Sequence, residues 1–290
     1  MHNLFQLLNS EPLLLFISVF VLGLLIGSFL NVVIYRVPKI LEQEWHLQCA
    51  HLLEDEEKIT QLESEKKISL SYPNSTCPKC QHAIKPWENI PVISYLFLKG
   101  KCSQCQNPIS LRYPIIEFMT GLLSLTVIYY FGASYTGLAA LFLTWMLIAL
   151  TMIDADTQLL PDNMTLPLVW LGLIVNYYGM FTTLETALWG AVFGYLSLWS
   201  VFHLFKLITG KEGMGYGDFK LLAALGAWFG WQLLPIIILV SSVVGAVIGI
   251  SMIVIKGKDK NIPIPFGPYL AIAGWITLIW GDTLKRMWLG

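Results

Sequence analysis

Residues 13–35, LLLFISVFVLGLLIGSFLNVVIY, run for 23 positions without a charged side chain. As a helix such a run crosses the ~30 Å hydrocarbon core of a bilayer. No lysine or arginine precedes it and Glu11 stands at its entrance. It therefore lacks the basic n-region of a cleavable signal peptide, is too long for an h-region, and is expected to stay in the membrane. Further apolar runs lie near 114–131, 136–153, 164–182, 184–208, 220–234, 236–255 and 266–281. The expectation is an all-α polytopic membrane protein with about eight transmembrane helices. The sixth and seventh runs are parted only by Gly230, Trp231 and Pro235, so a merged or re-entrant segment stays open there.

Composition agrees. The chain is 56% apolar and only 13% charged, with a mean hydropathy of +0.63, where a soluble domain carries about 25% charge. The net charge is −1 and no basic stripe is present, which excludes nucleic-acid binding as a function class. The eleven tryptophans fall mostly at span ends, as an interfacial belt requires.

Eight spans put both termini on one face, and lysine and arginine placement chooses which. Ten lie between Arg36 and Arg112, and Lys206, Lys211, Lys220, Lys256, Lys258 and Lys260 join them; Lys285 and Arg286 stand opposite. The positive-inside rule makes the long loop cytoplasmic. Three regions follow: a first span at 1–36, an insert at 37–112, and a seven-helix membrane domain at 113–290.

The insert holds two C-x2-C pairs, Cys77/Cys80 and Cys102/Cys105, with 21 residues between them. Two such knuckles complete a tetrahedral zinc site with no vacant position, so the metal is expected to be structural. Disulfides are disfavoured in a reducing cytoplasm, and a redox pair lacks its thioredoxin-like context. His82 could replace a thiolate, but four cysteines already suffice. Cys49 reads as a small buried or semi-buried residue. Residues 42–67 read as a polar helix with eight acids against three lysines. It is either a solvated face or a landing surface for a basic peptide.

Two acids stand apart by depth. Asp154 ends the third run and Asp218 opens the sixth, within Gly215-Tyr216-Gly217-Asp218. Both lie at the cytoplasmic edge, where a carboxylate needs a partner, water or a task. Two carboxylates brought together share a proton; one can activate water while the other polarises a peptide carbonyl. Gly215 and Gly217 leave the backbone free to bend and a peptide free to approach. The alternative is an ordinary turn with Asp218 as an N-cap. Spacing alone also leaves Asp156 and Asp162 as partners.

These residues together resemble the type IV prepilin peptidases, a branch of the GxGD intramembrane aspartic proteases. The resemblance runs through Gly27-Ser28-Phe29-Leu30-Asn31 to Arg36, the paired knuckles, Asn89-Ile90-Pro91-Val92-Ile93-Ser94-Tyr95, Tyr113-Pro114-Ile115-Ile116-Glu117, Asp154 with Leu160-Pro161-Asp162, and Gly215 to Lys220. It implies Asp154 and Asp218 as the catalytic pair, with Asp156 and Asp162 in support. It implies a multi-pass protein of the bacterial inner membrane whose substrates are prepilins and type II secretion pseudopilins, cut where the basic leader meets the bilayer. Members with this large loop also methylate the new N-terminus with S-adenosylmethionine. No Rossmann or glycine-rich phosphate pattern marks a site for that donor. Glu117 is either a second-site residue or a helix N-terminal charge.

Two other classes compete. A transporter would use the two aspartates as a proton or cation relay, but would place them near the midplane within inverted repeats. A scaffold organised by the zinc module would need neither acid.

Overall fold

The computed structural model describes residues 2–65, 67–211, 213–256 and 265–289. Among them no strand forms; two isolated bridges, Thr76 with Ala83 and Lys101 with Pro108, are the only extended pairings. Backbone groups in hydrocarbon have no water to bond, and helices satisfy them internally. The chain divides into two compact units, Met1–Tyr129 and Tyr130–Gly290.

The first unit contains α1 (His2–Ser10), α2 (Pro12–Leu52), α3 (Glu56–Ser64), the short α4 (Ile93–Phe97) and α5 (Arg112–Phe131), which reaches the boundary. The helix of the first span does not stop at Arg36. Its helix continues through Pro38 to Leu52, about 60 Å in all, twice a bilayer core. The acidic segment 42–67 is therefore not one helix: its first part extends α2, Glu54 turns at φ 54°, and Asp55 caps α3 by accepting from Lys58 N–H at 3.1 Å. Cys49 is exposed on the extension, contrary to the expected burial, while its neighbour Ala50 turns inward.

Small residues bring α2 and α5 together. A Cβ on Gly27 would stand 2.7 Å from the Glu117 Cα, and one on Gly23 2.8 Å from the Gly121 Cα. Asn31 Nδ2 donates to the Tyr113 carbonyl at 3.2 Å. Arg36, itself buried, donates to the Ser69, Leu70 and Pro73 carbonyls, fastening the insert to α2.

The second unit contains α6 (Tyr135–Thr157), α7 (Asp162–Tyr177), α8 (Leu184–Thr209), α9 (Tyr216–Phe229), α10 (Leu234–Lys256) and α11 (Gly267–Leu289). Helix α9 is its centre. Every residue from Asp218 to Phe229 is buried except Lys220, and α7, α8 and α11 surround it. Helices α8 and α9 meet backbone to backbone, since a Cβ on Gly190 would lie 2.1 Å from the Gly226 carbonyl oxygen.

Among the described residues, five helices are long and apolar enough to cross a membrane, where about eight were expected: α2, α5, α6, α8 and the segment Trp231–Ser251. Helices stand at all eight expected places, yet α7 and α9 have 16 and 14 residues. At about 24 and 21 Å they fall short of a full crossing. The sixth and seventh runs are separate helices. The break is at Gly230, with φ +85°, followed by a 3₁₀ turn at Trp231–Leu233, and Pro235 lies within the first turn of α10. Lys66, Lys258 and Lys260, counted toward orientation, lie outside the described residues.

Not every tryptophan is interfacial. Trp228 is fully buried and donates to the Leu168 carbonyl at 2.9 Å. Beside it Asn176 donates to the Ala227 and Trp228 carbonyls and accepts from the Phe181 and Thr182 N–H groups, all within 3.0 Å. Replacing it with alanine strands four backbone groups in a buried place. Asn176→Ala should cost about 3 kcal/mol or more, read as a lowered midpoint in heat denaturation of the detergent-solubilised protein.

Candidate active site and metal centre

Asp154 occupies the last turn of α6 and is 5% exposed. The helix closes behind it at Gln158, which adopts the left-handed conformation (φ 56°) and donates its N–H to the Asp154 carbonyl at 2.8 Å. Asp154 Oδ2 accepts from the Gly267 N–H, 2.9 Å away, at the first residue of α11. A Cβ on Gly267 would stand 2.6 Å from that same oxygen, so glycine is what lets the backbone reach it.

Asp218 is the third residue of α9 and is 6% exposed. It is not the N-cap. Gly215 holds that position, and Asp218 N–H donates to the Gly215 carbonyl at 3.3 Å. The two carboxylates lie close enough to interact electrostatically. Leu160 joins their surroundings: a Cβ on Gly217 would meet Leu160 Cβ at 2.6 Å, and one on Gly267 would meet Leu160 Cδ1 at 3.1 Å. Gly217 thus admits Leu160, whereas Gly215, in ordinary extended backbone, meets nothing closer than 3.9 Å. Asp218 Oδ1 is buried without a hydrogen-bond partner among the described residues. Native proteins seldom leave such an atom unsatisfied outside a functional site.

The other acids are placed elsewhere. Asp156 is exposed, two residues from Asp154 and so on a different side of the helix. Asp162 forms an ion pair with Lys220, whose Nζ lies 2.5 and 2.7 Å from its two oxygens. That pair ties the start of α7 to α9. Leu160 and Lys220 stood in the quoted motifs without a role at the site assigned to them, and Gly267 was not singled out from sequence; its one signal was Pro265-Phe266-Gly267-Pro268, a helix start carrying a free N–H.

In the insert the four expected cysteine sulfurs, Cys77, Cys80, Cys102 and Cys105, all lie within 4.8 Å of one another. Cys77 and Cys105 are 3.7 Å apart, Cys80 and Cys102 3.9 Å. Sulfurs at Zn–S distances of about 2.3 Å on a tetrahedron stand roughly 3.8 Å apart, so the geometry fits. The knuckles are built alike. Gln81 and Gln106 both turn at positive φ, and Cys77 and Cys102 N–H donate to the His82 and Asn107 carbonyls, each at 2.9 Å. Backbone N–H groups of Cys80 and Lys79 pull the Cys77 thiol down to about 6. The His82 N–H acts likewise on Cys80, but burial and the three neighbouring sulfurs outweigh it and push that thiol up to about 12. All four ionise together only with a cation among them.

His82 is not a ligand. Its Nε2 lies 3.2 Å from a Glu88 oxygen that also accepts from Lys85 N–H at 2.9 Å. Those bonds, Lys85 first, then Ser103 and His82, hold Glu88 at about 2 against an ordinary 4.5. A lowered value stabilises the fold above the ordinary range and is lost as pH falls toward 2. Glu117, 8% exposed, accepts from Val92 N–H at 2.8 Å and from Ser28, tying the insert to α5.

The description of the bacterial peptidase A24 N-terminal domain matches residues 21–131, and that of the type IV leader peptidase family matches residues 141–250. A Pseudomonas aeruginosa protein named prepilin leader peptidase/N-methyltransferase is 56% identical over 289 residues, 99% of this chain and 97% of its own length. Proteins of the same name from Stutzerimonas stutzeri and Aeromonas hydrophila are 56% and 53% identical, over 98% and 100% of this chain and 97% and 99% of theirs. No solved structure matches.

Proposed function

The chain belongs to the type IV leader peptidase family, and from that premise we propose that Asp154 and Asp218 are its catalytic aspartates. The protein is an aspartic endopeptidase that removes the leader from prepilins and then methylates the new N-terminal amine. One observation supports the catalytic assignment above the rest: two buried carboxylates, 64 residues apart in sequence, interact with each other while Asp218 Oδ1 has no partner among the described residues.

The pair shares one proton, and its titration belongs to both members together. Water held between them attacks the scissile carbonyl carbon. Its proton passes to the ionised carboxylate, and the protonated carboxyl gives its own to the carbonyl oxygen. The tetrahedral intermediate then breaks its C–N bond, the leaving amine taking a proton from the pair. Gly267 N–H holds Asp154 in place throughout. The Lys220–Asp162 pair keeps the loop bearing Leu160 against α9.

The cysteine site is read as zinc held by Cys77, Cys80, Cys102 and Cys105. Four thiolates leave no position for water, so the metal orders the insert and takes no part in cleavage. S-adenosylmethionine supplies the methyl group. The described residues form no strand-based nucleotide cradle, and no residue is assigned to the donor. Type II secretion pseudopilins are further substrates in this reading. The insert and both aspartates face the cytoplasm of the bacterial inner membrane, where a basic leader meets an apolar helix.

The test is mass spectrometry of a prepilin incubated with purified enzyme, with and without S-adenosylmethionine. Cleavage should proceed in both, and one methyl group should appear on the new N-terminus only with the donor. A prepilin left uncut, or methylation preceding cleavage, would contradict the reading.

A further inference from the structure

Beside α5 the insert presents an apolar surface that the peptidase chemistry does not use. Helix α4 is fixed at the level of the first turns of α5 by the Val92–Glu117 bond, and at its far end by Gly100 N–H donating to the Tyr95 carbonyl and Ile109 N–H to the Gly100 carbonyl. Between the two helices runs an open groove of about 380 Å³, with Val92, Leu96 and Leu111 on one wall and Ile115, Phe118 and Met119 on the other. Its surroundings are apolar and exposed: Phe97 is 83% and Leu96 69% accessible. The second wall continues into the outward face of α5, where Ile115, Phe118, Met119 and Leu122 recur at helical spacing and are all exposed. A soluble protein rarely leaves such a patch open. Here it is continuous with a helix long and apolar enough to span the bilayer.

Local charge decides the occupant. The insert as a whole balances nine lysines and arginines against nine acids, but eight of those acids lie at 42–65; from Lys67 to Arg112 six basic residues face one acid, Glu88, and a dication on four thiolates leaves that stretch positive. Lys99 and Lys101 directly follow α4, and neither has an ion-pair partner among the described residues; Lys85 lies over the exposed Trp87 ring, 5.4 Å from its centre. An apolar groove whose short helix runs into two lysines suits, at a membrane boundary, an acyl chain under an anionic headgroup. The same lysines repel a basic leader peptide.

We propose that α4 is an interfacial anchor whose groove takes an acyl chain of an anionic phospholipid, the headgroup being held by Lys99 and Lys101. The site shares no residue with the aspartate pair and stands whether or not the methylation reading does.

Hydrogen exchange on the full-length protein in nanodiscs tests it. One set is phosphatidylcholine alone; the other replaces a third of that lipid with phosphatidylglycerol. Backbone amides of 93–98 should exchange about tenfold or more slowly in the anionic discs, each basic residue near the surface contributing several-fold to the attraction. Molar salt should weaken the protection. Lys99→Glu with Lys101→Glu should abolish the difference, and Leu96→Ser with Phe97→Ser should do so while both lysines remain. Retained zinc reports an intact insert, and if one double variant loses metal, the other and the salt series decide. Equal exchange in the two lipids would overturn the proposal. So would protection that appears only on adding a prepilin peptide, since the groove would then belong to the substrate.

Discussion

Asp218→Asn and Asp154→Asn should each lower prepilin cleavage by roughly 10³-fold or more while leaving substrate affinity nearly unchanged. The amide keeps the shape of the acid but can neither take a proton from water nor share one with its neighbour. Both positions are buried, so a loss of fold has to be separated from a loss of chemistry. Asparagine at 154 still offers an oxygen to the Gly267 N–H, and at 218 its amide fills the place of a carboxylate whose Oδ1 has no partner among the described residues. Both variants should therefore purify with zinc and unfold near the wild-type temperature. The exposed Asp156 is the control: Asp156→Asn should retain cleavage within a few-fold. A full-rate Asp154→Asn enzyme would move the assignment to another acid.

The second large effect concerns the metal. Zinc binding and folding of a small module are one event, with apparent free energies of about 10–16 kcal/mol in zinc-finger peptides at pH 7. The purified protein should carry about one zinc per chain. Of its five cysteines only Cys49 is exposed and outside the cluster. A thiol reagent should therefore modify one cysteine in the metal-loaded protein and all five after chelation. Chelation, or Cys102→Ser, should also open residues 67–112 to proteolysis. Metal-free protein whose four thiols stay unreactive would mean that the sulfurs are held by something else.

What the sequence revealed and what it hid follow from the range of the forces involved. The apolar runs and the C-x2-C pairs are local patterns, and helices and a sulfur cluster stand where they predict. The continuation of α2 beyond Arg36 was hidden because charge marks the end of the hydrocarbon and not the end of a helix. Arg36 turns inward to three carbonyls of the insert, and the helix carries on past it. Helix α9 is apolar because protein surrounds it, whereas the equally apolar α7 leaves Leu166, Trp170 and Ile174 exposed; apolarity alone does not distinguish the two settings. Asp154 and Asp218 could be picked out by depth. The N–H that holds Asp154 could not, because Gly267 lies 113 residues away. Nor could Asp162 be separated from Asp154 as a partner until Lys220 was seen to occupy it.

Both rivals can now be weighed on geometry. The acids sit at the end of α6 and the start of α9, whereas a midplane relay would carry them in mid-helix. A scaffold would give no reason to bury two carboxylates together, since like charges in a low dielectric are costly unless they share a proton.

The most direct measurement compares the double variant Asp154→Asn/Asp218→Asn with each single one in the same cleavage assay. Residues that hold one water and one proton between them fail together. All three proteins should fall to the same residual rate. If the two losses multiply, or if either single variant cuts at the wild-type rate, the carboxylates do not work as one centre.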